Sequence, residues 1–314
     1  MQRQKIVILG TGGTIAGLAS TAASNINYTA AQVAVSDLVG TAGLDAQVET
    51  EQVAQIDSKD MSFGIWTLLA TRVQFQLNRD DVRGVVITHG TDTLEETAYF
   101  LQAVLTPTKP VVLTCAMRPA SALAPDGPQN ILDAITVAKH DGAQGVVVVC
   151  AGSIHSAFDV QKIHTYRLDA FGSGDAGATG FVEEHHLRLG KTWPETPIKR
   201  ALSATENIAK LNQIQVWPSV EIVMNYAGAS GALVHALLAQ GVQGLVVAGT
   251  GNGTVHHALE AALLAAQAQG VKVVRATRCP QGRVLPRADD RLPTSNGLSP
   301  VKARIDMMLS LMGV

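Results

Sequence analysis

The chain has 314 residues, 46% of them hydrophobic and 16% charged, a balance that can bury a large core and excludes a disordered chain. With 24 Lys and Arg against 26 Asp and Glu, the formal net charge is -2, which argues against a nucleic-acid-binding basic face or a membrane-seeking charge block. The cysteines Cys115, Cys150 and Cys279 are widely spaced, odd in number and form no CxxC pair, which fits a reducing compartment and argues against a disulfide framework or a zinc ribbon.

At the start of the chain, Ile6-Val7-Ile8-Leu9 is too short for a signal-peptide core. No apolar stretch is long enough to span a bilayer, so a cytoplasmic protein without membrane contact is expected. Apolar runs at 6–9, 85–88, 111–114, 146–149, 222–226, 245–248 and 271–275 do not alternate, the pattern of parallel strands covered on both faces. Helical spacing falls between them, at 29–39, 94–104, 130–140, 231–239 and 254–267. The spacing predicts an α/β protein: a larger N-terminal domain with a doubly wound, mostly parallel sheet over 1–190, and a smaller C-terminal α/β domain over 214–314. Residues 181–189 read as a hairpin strand, and 191–213, with two prolines and no strong periodicity, as a linker.

In such sheets ligands sit beyond the carboxyl ends of the strands, and three strand exits are rich in polar groups. The first is Gly10-Thr11-Gly12-Gly13-Thr14-Ile15-Ala16-Gly17. Ile15 stands where G-x-G-x-x-G needs glycine, and no Gly-Lys-Ser/Thr follows, so neither a dinucleotide nor a phosphate cradle is indicated. What remains is a tight turn with two hydroxyls and backbone N–H groups, suited to a nucleophile and an oxyanion. Thr88-His89-Gly90-Thr91-Asp92-Thr93-Leu94-Glu95-Glu96 is the second. A capping box of Thr93 and Glu96 would explain two of its polar residues, leaving Thr91 and Asp92 as a spare hydroxyl and carboxylate. Residues 249–254 form the third.

Together, Thr11-Gly12-Gly13-Thr14-Ile15-Ala16-Gly17 and His89-Gly90-Thr91-Asp92-Thr93-Leu94-Glu95-Glu96-Thr97 resemble the paired signature of the bacterial L-asparaginase and glutaminase-asparaginase family. Ala116-Met117-Arg118-Pro119, Asp126-Gly127-Pro128, Asn225-Tyr226-Ala227 and Gly251-Asn252-Gly253 extend the similarity over nearly the whole chain. The resemblance implies a cofactor-free and metal-free hydrolase of L-asparagine, usually a homotetramer with active sites at the dimer interface. It implies that Thr14, next to the substrate-binding Gly13, attacks the side-chain amide and that Tyr28 helps activate it. Thr91, Asp92 and Lys162 correspond to a second threonine and its acid/base partners. Ser58, with Asp92, corresponds to residues that grip the α-carboxylate and α-amine, and Asn252 to a second-domain asparagine near the same site. Lys162, as a base or a fixed cation, rests wholly on the resemblance, and residues 16–28 correspond to a lid that carries Tyr28 inward.

Two positions depart from the family pattern. Lys59 follows Ser58 where an uncharged residue is common, putting a cation beside the substrate's α-ammonium. Arg287 stands near where glutaminase-active relatives often supply a glutamate. Both predict weak glutaminase activity. The alternatives are a noncatalytic amino-acid-binding sensor and an ammonia-releasing amidase acting on another substrate, such as charged tRNA. Two reactive hydroxyls argue against the sensor, and the lack of a basic face against the tRNA enzyme. His185-His186 and His256-His257 lack the i, i+4 spacing of a helical metal site. His89, Cys115 and Cys150 follow or close buried strands and read as core residues.

Overall fold

The structure, a computed structural model, describes residues 4–41, 48–193 and 202–314. It divides into two units, Met1–Asn212 and Gln213–Val314.

The elements of the first unit run β1 (Lys5–Gly12), β2 (Leu18–Ala19), β3 (Tyr28–Thr29), α1 (Val35–Thr41), β4 (Val48–Ile56), α2 (Phe63–Leu77), β5 (Val82–Thr88), α3 (Leu94–Leu105), β6 (Pro110–Thr114), α4 (Gly127–Lys139), β7 (Gly145–Cys150), β8 (Ser153–Ser156), β9 (Gln161–Lys162), β10 (Phe171–Gly172), β11 (Gly180–Glu183), β12 (His186–Leu189) and α5 (Ala204–Gln213). Eight strands form one sheet in the order β12-β11-β8-β7-β6-β5-β1-β4. The five from β7 to β4 are parallel, and β8, β11 and β12 continue the sheet antiparallel. Burial on both faces explains the unbroken apolar runs. On β1, Ile6 and Ile8 join Val35, Leu38, Ile131 and Ile135 in the core under α1 and α4. Val7 and Leu9, equally buried, point by the strand's period of two to the opposite face, which α2 and α3 cover.

The second unit holds β13 (Val220–Met224), α6 (Ala232–Ala239), β14 (Gly244–Gly249), α7 (His257–Ala268), β15 (Lys272–Thr277) and α8 (Pro300–Met312). Its strands are parallel in the order β13-β14-β15. α7 packs on α6, and α8 lies against all three strands. Gly244 lets α8 pack close, because a Cβ there would lie 2.3 Å from Met307 Sδ and push that side chain aside.

Four expectations are corrected. The helix expected over 29–39 begins only at Val35. Tyr28 and Thr29 pair with Ala19 and Leu18 instead, and Ala31 takes φ 57°, which breaks any helix there. The strand expected over 222–226 ends at Met224, and Tyr226 lies exposed beyond it. Residues 181–189 are two strands, β11 and β12, joined at Glu184 and His185, both at positive φ (47° and 64°), as a two-residue hairpin turn requires. In the stretch read as a linker, 204–213 form α5, anchored in the first unit by Leu211 and by Asn207 Nδ2, which donates to Val104 O at 2.9 Å.

Candidate active site

After β1 the chain crosses to β4 on one side. After β4 it returns through α2 to β5 on the other, so strand order reverses between β1 and β5. The helices after these two strands, α1 and α3, lie on opposite faces of the sheet. The two exit loops therefore diverge and leave a crevice at the carboxyl edge, where open α/β sheets bind ligands. Thr11 Oγ1 donates to Thr88 O at 2.9 Å and ties the strand exits together. Gly13, at φ 83°, then turns the first loop so close to the second that a Cβ on it would sit 2.3 Å from Gly90 Cα. Gly90 in turn has room only for hydrogen, since its own Cβ would lie 2.5 Å from Ser58 Oγ. Bare backbone at both positions thus brings Thr14, Thr91 and Ser58 to one place.

Thr14 opens a short 3-10 turn and is 7% exposed. Its hydroxyl is hydrogen-bonded to the Tyr28 hydroxyl at 2.7 Å. Tyr28 reaches it because β2 and β3 form a small hairpin, and because Gly17 lets the ring lie against the backbone: a Cβ there would be 2.8 Å from Tyr28 Cδ2.

Thr91, 6% exposed, has a different partner. Lys162 Nζ donates to Thr91 Oγ1 at 2.8 Å and to Asp92 Oδ1 at 2.6 Å. Lys162 sits on β9, paired with Phe171 of β10. The preceding turn is closed by Ser156 Oγ, which donates to Asp159 Oδ2 at 2.8 Å and accepts from Asp159 N at 3.0 Å. Ser58 Oγ accepts from Asp92 N at 3.1 Å, which brings the serine hydroxyl to the start of the Asp92 backbone. Thr93 stands at the N-cap of α3 but makes no capping bond; its hydroxyl donates to Ser58 O at 2.8 Å. The Thr93 side of the expected capping box is therefore not made, because its hydroxyl holds the Ser58 turn to the Thr91 loop.

His89 is completely buried. Its Nδ1 donates to Gly90 O at 2.7 Å, and its Nε2 accepts from Thr97 Oγ1 at 3.0 Å, which in turn accepts from Trp66 Nε1 at 2.8 Å. Burial lowers its pKa to about 4, so the ring is neutral and serves as a fixed prop under Gly90 and Thr91. The roles of Gly90, Thr93, Thr97 and Trp66 were not legible in advance; a glycine directly at a strand exit was the available signal for Gly90.

Lys59 is exposed and its ammonium pairs with Asp60. That hydrogen bond raises its pKa, with smaller contributions from the Asp57 and Asp92 charges. Asn252 and Arg287 belong to the second unit. Both ends of the Asn252 amide are bonded to Leu285: Nδ2 donates to its O at 3.0 Å, and Oδ1 accepts from its N at 2.7 Å. Arg287 N donates to Asp290 Oδ2 at 2.8 Å. His256 Nδ1 accepts from Ala258 N at the start of α7, with its ring 4.3 Å from that of His257. Among the described residues, no three His, Cys, Asp or Glu side chains cluster as metal ligands.

Residues 5–195 match the profile of the asparaginase N-terminal domain, and 219–313 that of the glutaminase/asparaginase C-terminal domain. The chain belongs to the asparaginase family. Among curated asparaginases, it is 38% identical to L-asparaginase 2 of Escherichia coli, covering 98% of this chain and 88% of that protein. It is also 38% identical to the glutaminase-asparaginase of Pseudomonas fluorescens, covering 98% and 86%. A probable periplasmic L-asparaginase of Haemophilus influenzae is 37% identical. The crystal structure of a probable cytoplasmic L-asparaginase from Campylobacter jejuni superposes with a TM-score of 0.88 at 34% identity, over 99% of this chain and 96% of that one. The asparaginase architecture, a large mostly parallel sheet followed by a smaller α/β domain, is the one described above.

Proposed function

We propose that the protein hydrolyses L-asparagine to L-aspartate and ammonia, with Thr14 as nucleophile. One observation carries this reading: two buried threonine hydroxyls on abutting loops are each bonded to a group that can exchange a proton, Tyr28 for Thr14 and Lys162 for Thr91. A free hydroxyl is too weakly acidic to attack an amide at neutral pH, so the attack needs a base and a donor set for the oxyanion. As the Thr14 oxygen bonds to the amide carbon, its proton passes to the Tyr28 hydroxyl, 2.7 Å away, which gives up its own phenolic proton to the departing amide nitrogen. Backbone N–H groups of the crossed loops hold the carbonyl oxygen. Thr91, with Lys162 and Asp92, then activates the water that releases aspartate, and Thr14 regains its proton. Ser58 and Asp92 Oδ2 orient the α-carboxylate and α-ammonium.

Glutamine is expected to be a weak substrate. Lys59 lies close enough to Asp92 to feel its charge and competes there with an α-ammonium displaced by the extra methylene, and Arg287 offers a cation where an anion would help. We further place the enzyme in the cytoplasm as a homotetramer, with Asn252 of a second copy completing the site at the dimer interface. The compartment reading rests on the absence of a disulfide framework in the cysteine pattern.

Ammonia release from asparagine, glutamine and D-asparagine tests the proposal. Asparagine should turn over, with kcat/KM for glutamine far below it; comparable values would overturn the weak-glutaminase reading. Thr14→Ala and Thr91→Val should each lower kcat by about 100-fold or more while leaving the circular dichroism unchanged. Near-normal turnover in Thr14→Ala would remove it as nucleophile.

A further inference from the structure

Two thiols beneath the site take no part in the proposed reaction. β6 and β7 are parallel neighbours with Thr114 opposite Val149, so the next positions, Cys115 and Cys150, leave the carboxyl edge side by side. Their Sγ atoms lie 3.3 Å apart, with Cys115 fully buried and Cys150 3% exposed. Neighbouring strands run about 4.8 Å apart, inside the Cα separation of roughly 4.4–6.8 Å that a disulfide spans. Joining the sulfurs therefore calls for side-chain rotation rather than strand movement. Asn130 of α4 fixes both strand ends: its Nδ2 donates to Cys115 O at 2.9 Å, and its Oδ1 accepts from Ala151 N at 3.0 Å. A packing role alone would need two small side chains, not two sulfurs facing each other.

We propose that Cys115 and Cys150 are a modification site, a dithiol that a hydroperoxide oxidises to an intramolecular disulfide strapping the carboxyl ends of β6 and β7. One thiol attacks a peroxide oxygen, breaking the O–O bond and leaving a sulfenic acid with release of one water. The second thiol displaces the sulfenic hydroxyl, forming the S–S bond and releasing a second water. Two thiols lose two electrons and two protons, and one hydrogen peroxide becomes two waters. The thiol–thiol hydrogen bond and burial push the Cys115 pKa well up, so the pair reacts slowly and the exposed Cys279 reacts first. The strap would hold the strand end on which His89 rests, since His89 N donates to Thr114 O at 2.9 Å.

The test uses the full-length Cys279→Ser protein, in which only the pair remains. After hydrogen peroxide in native buffer and removal of the peroxide, both thiols should resist alkylation in denaturant and the intact mass should fall by two hydrogens. Dithiothreitol should restore both. The double variants Cys115→Ser/Cys279→Ser and Cys150→Ser/Cys279→Ser should never show the two-hydrogen loss. Should either fail to fold, a digest of oxidised Cys279→Ser protein decides alone, and a linked Cys115–Cys150 peptide pair is the expected result. The proposal is overturned if both thiols of the peroxide-treated protein can still be alkylated once it is denatured. It is equally overturned if they are lost only with gain of oxygen, or if the cross-link forms only in urea.

Discussion

A threonine hydroxyl attacks an amide only when something stands ready to take its proton, and the two buried threonines differ in what that is. Tyr28→Phe deletes the partner of Thr14 and leaves the Lys162–Thr91–Asp92 cluster whole. Steady-state kinetics should show kcat lowered by about 100-fold or more with KM changed little. Lys162→Met should lower kcat similarly, without altering the Thr14–Tyr28 pair. His89 makes a prediction about stability. Its pKa is about 4 in the fold, against an ordinary value of 6.5. Between those values the unfolded chain binds the proton that the folded one refuses, so stability falls as pH drops from 6.5 to 4. At about 1.4 kcal/mol per pKa unit the loss amounts to roughly 3 kcal/mol. Urea melts across that range should slope less for His89→Gln than for the parent, and equal slopes would contradict the assignment. At this scale Thr91 and Asp92 stood out as a spare hydroxyl and carboxylate after an apolar strand, whereas Thr14, in a glycine-rich turn that alone reads as structural, was singled out by the family resemblance. Lys162 was legible only through family resemblance: a two-residue strand leaves no periodic trace. Thr93 was misjudged because a hydroxyl at a helix start offers the same appearance whether it caps the helix or grips another turn.

At the scale of elements, the site depends on two loops touching without side chains between them. Gly13→Ala puts a Cβ against Gly90 Cα at a backbone φ of 83°, so the loops must part. Strain of about 1–3 kcal/mol should appear in thermal melts, and a displacement near 1 Å should cost about 100-fold in kcat. Ala at position 13 with normal activity would show that the contact is not needed. The central strands were readable because two buried faces demand unbroken apolar runs. β4 was not, because Val-Glu-Thr-Glu-Gln-Val-Ala-Gln-Ile sits at the sheet edge and mixes polar with apolar residues as edge strands do. α2 was also missed, and α5 was taken for linker because little of it is buried beyond Asn207 and Leu211. The false helical start at 29 came from spacing alone; the positive φ of Ala31, recorded in no side-chain pattern, decided otherwise.

At the scale of the whole molecule, alternating apolar runs and helical patterns were enough to anticipate two α/β units and their order. The sheet's antiparallel edge was not, because short strands such as Ser153–Ser156 carry too few residues for a pattern. If assembly completes the site as proposed, light scattering should give a tetramer, and activity should fall on dilution in step with its dissociation; full activity in a monomer would overturn that reading. The hydrogen bond from Thr11 to Thr88 spans 77 residues of chain, and it requires β1 and β5 to be paired. Turnover is therefore a late arrival in the life of each newly made molecule. During refolding from urea, far-ultraviolet ellipticity should recover ahead of ammonia release or together with it, never behind, so the enzyme's own product reports when long-range order is finished.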